Sequence, residues 1–313
     1  MSSLPYAVIA AFGLSGILRE KGYYKTSDNT RIIRKTKDEP KQILARHQIA
    51  EHCYLAGYPW IDRYHLSQNG QPYVFTGGEY YVMTDLIDHR EVSFSDPQEF
   101  LQIVKSIAHW HSCARNISFN TDADLYKNRP PIPFTETLQF QKQALDTIRK
   151  RIRKQSQLSD FDVLFVKHYP DYRARIQRAQ QLLKSTNYLK RSQKARQLNY
   201  ICHGGLKEDC LHIHNDHIYI TKLDQASVDY QLNDLCALIR RREKKRNDLE
   251  HSQIFEVYNS VIPLESEEEI ILEAMLLYPA AFIKIVTEYY QKKRTWTPVA
   301  MANKIQEILD IAK

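Results

Sequence analysis

Six potential metal ligands crowd one short stretch of the chain: Cys202, His203, Cys210, His212, His214 and His217. Cys210, His212 and His214 alternate, so their side chains would share one face of a strand. A structural zinc site needs four ligands at finger-like spacing, and this stretch does not have that spacing. Thiol catalysis at Cys210 would need a placed base and oxyanion donors, which the sequence does not offer. We therefore expect neither a metal site nor a cysteine nucleophile here.

The same stretch belongs to a second pattern, which involves its glycines and two residues further on. His203-Gly204-Gly205 is followed five residues later by Cys210, and Thr221–Ala226 contains Lys222 and Asp224. This arrangement resembles the catalytic core of aminoglycoside- and choline-kinase-like enzymes, which reads His-Gly-Asp, then Asn five residues after the Asp, then Ile-Asp-Phe-Asp. In those enzymes phosphoryl transfer uses an Asp that orients the acceptor and Mg²⁺ held against the phosphates.

Three positions of that core carry residues that cannot do its chemistry. The resemblance assigns the base to Gly205, which has no side chain to accept a proton. It assigns the two metal ligands to Cys210, whose soft thiol binds Mg²⁺ poorly, and to Lys222, which is itself a cation. We therefore expect no catalytic residues, no resident metal and no cofactor, with ATP and Mg²⁺ bound only if this interpretation is wrong.

Other residues of the core are retained. His203 and Asp234 resemble residues that brace the catalytic loop in the family, and Asp224 is the second acid of the Ile-Asp-Phe-Asp motif. Asp209, beside the lost Asn, offers only a minor route to a metal site. Bracing residues beside a missing base predict a loop that keeps its architecture while its chemistry is lost.

The nucleotide-binding side of the core is degraded as well. The segment expected to cover the phosphates, residues 21–30, has one glycine, which gives little support for close backbone approach to phosphates. The strand lysine of the family falls on Arg34. Its helix partner is expected midway along residues 40–56, where Arg46 stands, and the equivalence of Glu51 stays open. The resemblance implies a vestigial nucleotide cleft of seven residues: Arg34, Met83, Asp85, Leu86, His212, Lys222 and Asp224.

The resemblance extends over nearly the whole chain. Its pieces include Gly57-Tyr58-Pro59, Tyr80–Ile87, His109-Trp110-His111, Asp224–Tyr230, Tyr278-Pro279 and Trp296-Thr297-Pro298. In this order and spacing, they identify the chain as a member of the spore coat protein S family of endospore-forming bacteria, a branch of the aminoglycoside-phosphotransferase-like superfamily. The resemblance implies a single α+β, protein kinase-like domain of two lobes. Residues 1–88 would form a small antiparallel-sheet lobe and residues 89–313 a mainly helical lobe.

Periodicity and turn residues predict elements that agree with such a fold. We expect strands at residues 30–36, 64–67, 73–76 and 79–85, with hairpin turns at Asn69-Gly70 and Gly77-Gly78. We expect helices at residues 40–56, 97–114, 134–155, 163–186, 265–278, 281–292 and 298–311. Residues 1–16 favour a short structural helix over a signal peptide, and residues 118–133 a loop. A two-stranded unit turning at Asn215-Asp216 would carry the core motif.

Composition and charge bound the remaining possibilities. The five cysteines are scattered, which favours reduced thiols over a disulfide framework. No apolar run reaches the ~18 residues of a membrane span, so we expect none. The net charge of +7 comes from three basic clusters, at residues 149–154, 190–196 and 240–246. Such clusters suggest an acidic partner, nucleic acid or an anionic surface, although solvated helix faces explain them more simply and no nucleic-acid module accompanies them.

Three hypotheses follow for the function. The first is a catalytically inactive kinase-like protein, a pseudokinase, made in the mother-cell cytoplasm and serving the spore coat as an assembly component with other coat proteins. Its cleft would stay empty or hold an anionic group through Arg34 and Lys222. The second is a diverged small-molecule phosphotransferase that uses ATP with a relocated base. The third is a basic protein that binds acidic polymers, for which nucleic acid is the less expected partner.

Overall fold

A computed structural model of the protein describes residues 5–15, 17–20, 23–28, 30–119, 132–245, 249–291 and 297–311. Contacts divide the chain into two compact units. Unit 1 comprises residues 1–130, 194–241 and 247–263, and unit 2 comprises residues 131–193, 242–246 and 264–313. The expected lobe boundary at residue 88 stays a prediction.

Unit 1 contains a five-stranded antiparallel sheet. Its strands are β1 (Ile17–Glu20), β2 (Tyr23–Thr26), β3 (Arg31–Thr36), β4 (Val74–Thr76) and β5 (Glu79–Asp85). They lie in the order β1-β2-β3-β5-β4. Gly77 and Gly78 connect β4 to β5 with φ of +60° and +78°, the left-handed backbone that such a two-residue turn requires. The strands predicted at residues 30–36, 73–76 and 79–85 are confirmed.

Alternation along β3 and β5 gives the sheet two different faces. Ile33 and Met83 pair across the two strands and pack in an apolar cluster beside helix α1 (Tyr6–Ala11). Arg34 and Val82, the next pair in register, lie on the opposite face. Met83 is only 2% exposed and therefore belongs to the core of the sheet.

Helix α2 (Pro40–Leu55) packs beside the sheet and begins with a capping box. Glu39 and Gln42 exchange side-chain-to-backbone hydrogen bonds there, and proline occupies the first position of the helix. Gly57, with φ of +104°, follows the last turn. The buried residues of α2 are apolar except for Arg46, which is 7% exposed. A cation buried in this way requires acidic partners.

A second group of short strands in unit 1 carries the predicted core motif. These strands are β6 (Arg90–Glu91), β7 (Ile201–Cys202), β8 (Leu211–His214), β9 (His217–Ile220) and β10 (Ser227–Val228). The order β6-β8-β9 gives one sheet, and β7 pairs with β10. Asn215 and Asp216 form the β8–β9 turn with φ of +47° and +62°, as the sequence predicts. Single 3-10 turns lie at Glu208–Cys210 and Leu223–Gln225.

The rest of the described chain is mostly helical. The helices are α3 (Pro97–Cys113), α4 (Phe134–Ile152), α5 (Asp160–Lys184), α6 (Tyr188–Gln197), α7 (Leu232–Glu243), α8 (His251–Asn259), α9 (Ser266–Leu277), α10 (Ala280–Tyr290) and α11 (Pro298–Ile311). Within unit 1, α3 packs against α8. Within unit 2, α5 is central and packs against α4, α9 and α11.

One apolar stretch of unit 2 bears on the membrane question. Ser266–Tyr290 is long and apolar enough to cross a membrane by composition, and half of its most apolar window is buried. Tyr278-Pro279 interrupts the stretch between α9 and α10. Core helices of this kind pass the same test, so the expected absence of a membrane span stays a prediction.

Some predicted elements differ from the structure. Residues 64–67 form no strand, because their backbone makes isolated hydrogen bonds and no strand pairing: His65 N donates to Met83 O, Ser67 N donates to Gln71 O, and Ser67 O accepts from Gly70 N. Helices α6, α7 and α8 were not predicted from the sequence. The predicted loop at residues 118–133 lies largely outside the described residues, as do Lys21, Gly22 and Trp296.

Candidate active-site cleft

A buried carboxylate holds the loop that carries the core motif. Asp234 accepts hydrogen bonds from the backbone N–H groups of His203 and Gly204, at 2.5 and 2.9 Å. The His203 ring bonds Thr221 O through Nε2 at 2.9 Å and accepts the Gly205 N–H at Nδ1. A Cβ atom at Gly204 would lie 2.3 Å from the carbonyl oxygen of Gln225, so this position requires glycine. His203 and Asp234 thus make the contacts that a bracing role requires.

A third residue completes this bracing network. His111 Nε2 lies 3.2 Å from Asp234 Oδ2, and its Nδ1 lies 2.9 Å from the Tyr258 hydroxyl. Burial alone would raise the pKa of Asp234. The hydrogen bond and charge of His111, with the loop N–H groups, have the larger effect, so the pKa of Asp234 is lowered overall. Burial lowers the pKa of His111. The sequence shows His111 only as part of the family resemblance, since its partners come from α7 and α8.

The Gln225 side chain fills the space beside Gly205, the position assigned to the base. A Cβ on Gly205 would lie 2.9 Å from Gln225 Oε1 and 3.1 Å from Gln225 Cδ. The Gln225 side chain therefore takes the space that a carboxylate at position 205 would use. Because Gln225 is exposed and its amide lies at the end of a flexible side chain, it could move aside.

The two positions assigned to metal ligands share one carboxylate. Lys222 Nζ lies 3.1 Å from Asp209 Oδ2, and Cys210 Sγ donates to Asp209 Oδ1 at 3.3 Å. The Lys222 and Cys210 hydrogen bonds lower the pKa of Asp209. Burial, with Asp209 adding to it, raises the pKa of Cys210 to about 11, so its thiol is neutral at pH 7. The two substitutions are therefore coupled through Asp209, which the sequence suggested only as a minor metal ligand.

The strand cation Arg34 pairs with an acid that does not come from helix α2. Arg34 of β3 donates to Asp62 Oδ2 at 3.0 Å and to Thr84 Oγ1 at 3.1 Å. Burial raises the pKa of Asp62, and Arg34 opposes that rise. The acid that pairs with the strand cation therefore comes from the segment after α2. Glu51, whose role the sequence left open, bonds Arg63 instead.

The helix position facing the cleft holds a cation. Arg46 Nη1 pairs with Asp38 Oδ2 and lies 3.2 Å from Asp224 Oδ1. Burial lowers the pKa of Arg46, but Asp38 and other acidic neighbours more than offset it, so the guanidinium stays charged. Sequence reasoning noted Arg46 only as a mismatch, because nothing in the spacing shows that it reaches Asp224.

These residues line a cavity of about 170 Å³ in unit 1. Its lining is Arg34, Lys35, Thr36, Asp38, Arg46, Asp62, Tyr64, Val82, Lys222, Leu223 and Asp224. Each of its four cations has an acidic partner, with Lys35 bound to Glu79. A Mg²⁺ ion beside Asp224 would meet the Arg46 guanidinium, so these residues do not fit that metal. Among the described residues, no group of three or more His, Cys, Asp or Glu side chains could hold a metal ion.

Four of the seven predicted cleft residues do not line this cavity. Met83 packs in the core of the sheet, and Val82 takes its place at the cavity wall. Asp85 Oδ1 lies 2.6 Å from His65 Nε2, and this contact lowers the pKa of Asp85. Leu86 N donates to the Thr30 carbonyl. The assignment of Met83 to the cleft is therefore wrong, because strand alternation directs it to the other face.

The segment between β5 and β6 is hydrogen bonded to two histidine side chains. His214 Nδ1 contacts Asp88 O at 2.6 Å, and His89 Nδ1 contacts Ile87 O at 2.8 Å. The His212 ring, predicted to belong to the nucleotide cleft, lies 4.2 Å from the His89 ring, centroid to centroid. Burial, followed by the charges of His89 and Lys222, lowers the pKa of His212. The carbonyl groups of Ile87 and Asp88 are therefore already hydrogen bonded within the protein.

The chain matches the family described as "Spore coat putative kinase YutH" over residues 15–313. It belongs to this spore coat family. The match covers both the bracing residues and the substituted positions, so the family assignment does not depend on an intact catalytic motif. No curated protein sequence matches the chain.

Solved structures show the same fold. An aminoglycoside phosphotransferase from Alicyclobacillus acidocaldarius aligns with TM-score 0.80 at 14% identity, over 99% of this chain and 93% of that one. The AMP-bound spectinomycin phosphotransferase aligns with TM-score 0.60 at 12% identity, over 97% and 95%. An amicoumacin kinase aligns with TM-score 0.56 at 12% identity, over 94% and 87%. At these identities the likeness shows the fold alone, and it confirms the predicted kinase-like class.

Proposed function

We propose that this protein is a non-catalytic, kinase-like component of the spore coat, made in the mother cell and acting in assembly or interaction with other coat proteins. The observation that carries the proposal is the contact between Arg46 and Asp224. A guanidinium of the chain lies 3.2 Å from the one retained acid of the metal-binding motif. The family description supports the coat association.

The charges explain why this contact opposes phosphoryl transfer. Two unit charges ~4 Å apart interact by about 4 kcal/mol where the effective dielectric constant is near 20. A dication carries two charges, so beside Asp224 it would meet about twice that repulsion from Arg46, and Lys222 would add to it from the edge of the cavity. At the same time, position 205 has no carboxylate, and Gln225 fills the space beside it. Neither the metal nor the base of the reaction is supported.

Calorimetric titration of ATP, with and without Mg²⁺, tests the proposal on the wild type and on Lys222→Asp. We expect no heat of binding from the wild type in either condition. Tight, Mg²⁺-dependent binding by the wild type would contradict the proposal and favour the diverged phosphotransferase, which the fold likeness supports. A search for a relocated base would then follow. Circular dichroism spectra of both proteins control for folding.

A second candidate function is metal-independent binding of an anionic group in the cleft. Among the cations at the cavity, Arg34 and Lys222 are accessible, since their side chains are 40% and 49% exposed. A phosphate-bearing ligand could recruit them by displacing Asp62 and Asp209. In the same titration, ATP binding without Mg²⁺ that weakens in Lys222→Asp would favour this candidate.

A further inference from the structure

The positive charge of the chain is concentrated in one part of unit 2. Residues 132–193 contain 13 Lys and Arg against 5 Asp and Glu, a net charge of +8. The whole chain carries +7, so the remaining residues together carry −1. This segment lies within unit 2, whereas the residues that line the cleft belong to unit 1.

The three basic clusters of the sequence differ in how far their cations are neutralised. In the cluster at residues 190–196, Arg191 bonds Glu265 and Glu267, and Arg196 bonds Asp229. In the cluster at residues 240–246, Arg242 is buried. The cluster at the end of α4 is different, because four of its cations are exposed and have no ion pair within the described residues: Lys150, Arg151, Arg153 and Lys154.

Aromatic contacts hold this end of α4 in place. The Arg149 guanidinium lies 4.6 Å from the centre of the Tyr169 ring, and Arg151 lies 6.0 Å from the Tyr290 ring. Asp146, one turn earlier, bonds Arg173 and the Tyr169 hydroxyl. The backbone that presents the exposed cations is therefore ordered before any partner arrives, which lowers the entropic cost of binding.

Apolar side chains adjoin these cations along the chain. Leu158, in the connection between α4 and α5, is exposed, and so is Val163 in the first turn of α5. Phe161, in the first turn of α5, is buried and offers no ring for stacking a base. Cations beside aliphatic side chains fit a polypeptide that carries both carboxylates and apolar residues better than they fit single-stranded nucleic acid.

We propose that this surface binds an acidic polypeptide segment. We call it the α4 basic end and define it as Lys150, Arg151, Arg153 and Lys154 with Leu158 and Val163. Charge complementarity selects the partner: carboxylates pair with the four free cations, while apolar side chains cover the two aliphatic residues. The proposal does not depend on the state of the cleft.

Fluorescence anisotropy of a labelled deca-glutamate peptide tests the α4 basic end on the full chain. The test variant combines Lys150→Gln, Arg153→Gln and Lys154→Gln. It leaves Arg151 unchanged, so the contact of Arg151 with the Tyr290 ring is kept. The matched control removes the same charge elsewhere in unit 2, by Arg178→Gln, Lys184→Gln and Lys190→Gln, all exposed in the structure. At 50 mM NaCl we expect the test variant to bind the peptide about tenfold more weakly than the wild type, and the control to change less than about twofold.

Several outcomes would overturn the proposal. Equal loss in test and control variants would show that only the overall charge matters. Tighter binding of dT10 or of phosphatidylserine-containing vesicles than of the peptide would assign the surface to nucleic acid or to a membrane. A lower melting temperature of the test variant with unchanged peptide binding would show that these cations serve only the C-terminal dipole of α4. A Leu158→Ser variant, which keeps every charge, should weaken binding of a Leu-containing acidic peptide and leave deca-glutamate binding unchanged; equal effects on both peptides would also contradict the proposal.

Discussion

Two neighbouring regions of unit 1, the braced loop and the cleft, have kept different amounts of the kinase-like core. At the loop, His203 and Asp234 retain their residue types and make the hydrogen bonds expected of them. In the cleft, the base and both metal positions carry other residues, and the space and charge there are taken over by Gln225, Asp209 and Arg46. The loop has kept its architecture, whereas the cleft has been rebuilt around new contacts.

The difference follows from burial. Asp234 is 2% exposed and satisfies several donors, so its loss would leave buried groups without partners. The side chain of Asp224, by contrast, is 62% exposed, and water can replace its contacts. Folding stability therefore constrains the braced loop of this protein more than its cleft. Under the proposed non-catalytic role, the cleft can change without loss of the loop.

The largest expected effect contrasts the two retained acids. Asp234→Asn should lower the free energy of unfolding by about 3 kcal/mol, because its amide group would face buried N–H donors. The same change at the exposed site, Asp224→Asn, should cost less than about 1 kcal/mol. Urea denaturation followed by circular dichroism measures both. If both variants lost the same free energy of unfolding, the loop would not contribute more to stability than the cleft.

Much of the fold could be predicted from the sequence. The strands at β3, β4 and β5 and most long helices follow from periodicity, capping residues and the Gly77-Gly78 turn. The strand predicted at residues 64–67 is wrong, because a short alternating pattern predicts a strand even where the backbone does not pair with a neighbouring strand. Helix α6 escaped prediction because its sequence is strongly polar, and tertiary packing rather than pattern sustains it.

The candidate site could be predicted only in part. The residues Gly205, Cys210 and Lys222 are visible in the sequence as departures from a motif, and they predict a core without its usual chemistry. The contacts that surround these positions could not be predicted, since the partners come from distant segments. Arg46 meets Asp224 across 178 positions of sequence, and no local pattern marks such a pair.

The second expected effect compares two cations at the cavity. Arg46→Gln removes a buried guanidinium and leaves Asp38 and Asp224 without their partner, which should lower the free energy of unfolding by about 2 kcal/mol. Lys222→Gln removes an exposed cation paired with Asp209 and should cost less than about 1 kcal/mol. Both variants lose one positive charge, so net charge is matched. A cost at Lys222 as large as at Arg46 would mean that Arg46 is not the residue that holds the remodelled cleft together.

The smallest expected effect is a dependence of stability on pH that the bracing network produces. Burial lowers the pKa of His111 in the folded protein. Below about 6.5, the ordinary histidine pKa, the unfolded chain therefore binds a proton that the folded chain does not, so stability falls as pH falls. The slope is at most about 1.4 kcal/mol per pH unit for one such group. Above that pH both states are neutral at this site and the contribution is constant.

Urea denaturation between pH 7.5 and 5.5 measures how the free energy of unfolding changes with pH, and two variants show whether the braced loop or the cleft causes that change. His111→Gln should flatten the pH dependence of the wild type, because the variant has no group to titrate in the buried network. His212→Gln is the matched change in the cleft, where the histidine is only partly buried and its pKa is also lowered. We expect it to flatten the profile less, since the residue is only partly buried, whereas His111 is fully buried. If His212→Gln flattened the profile more than His111→Gln, the cleft rather than the braced loop would carry the acid sensitivity of the fold.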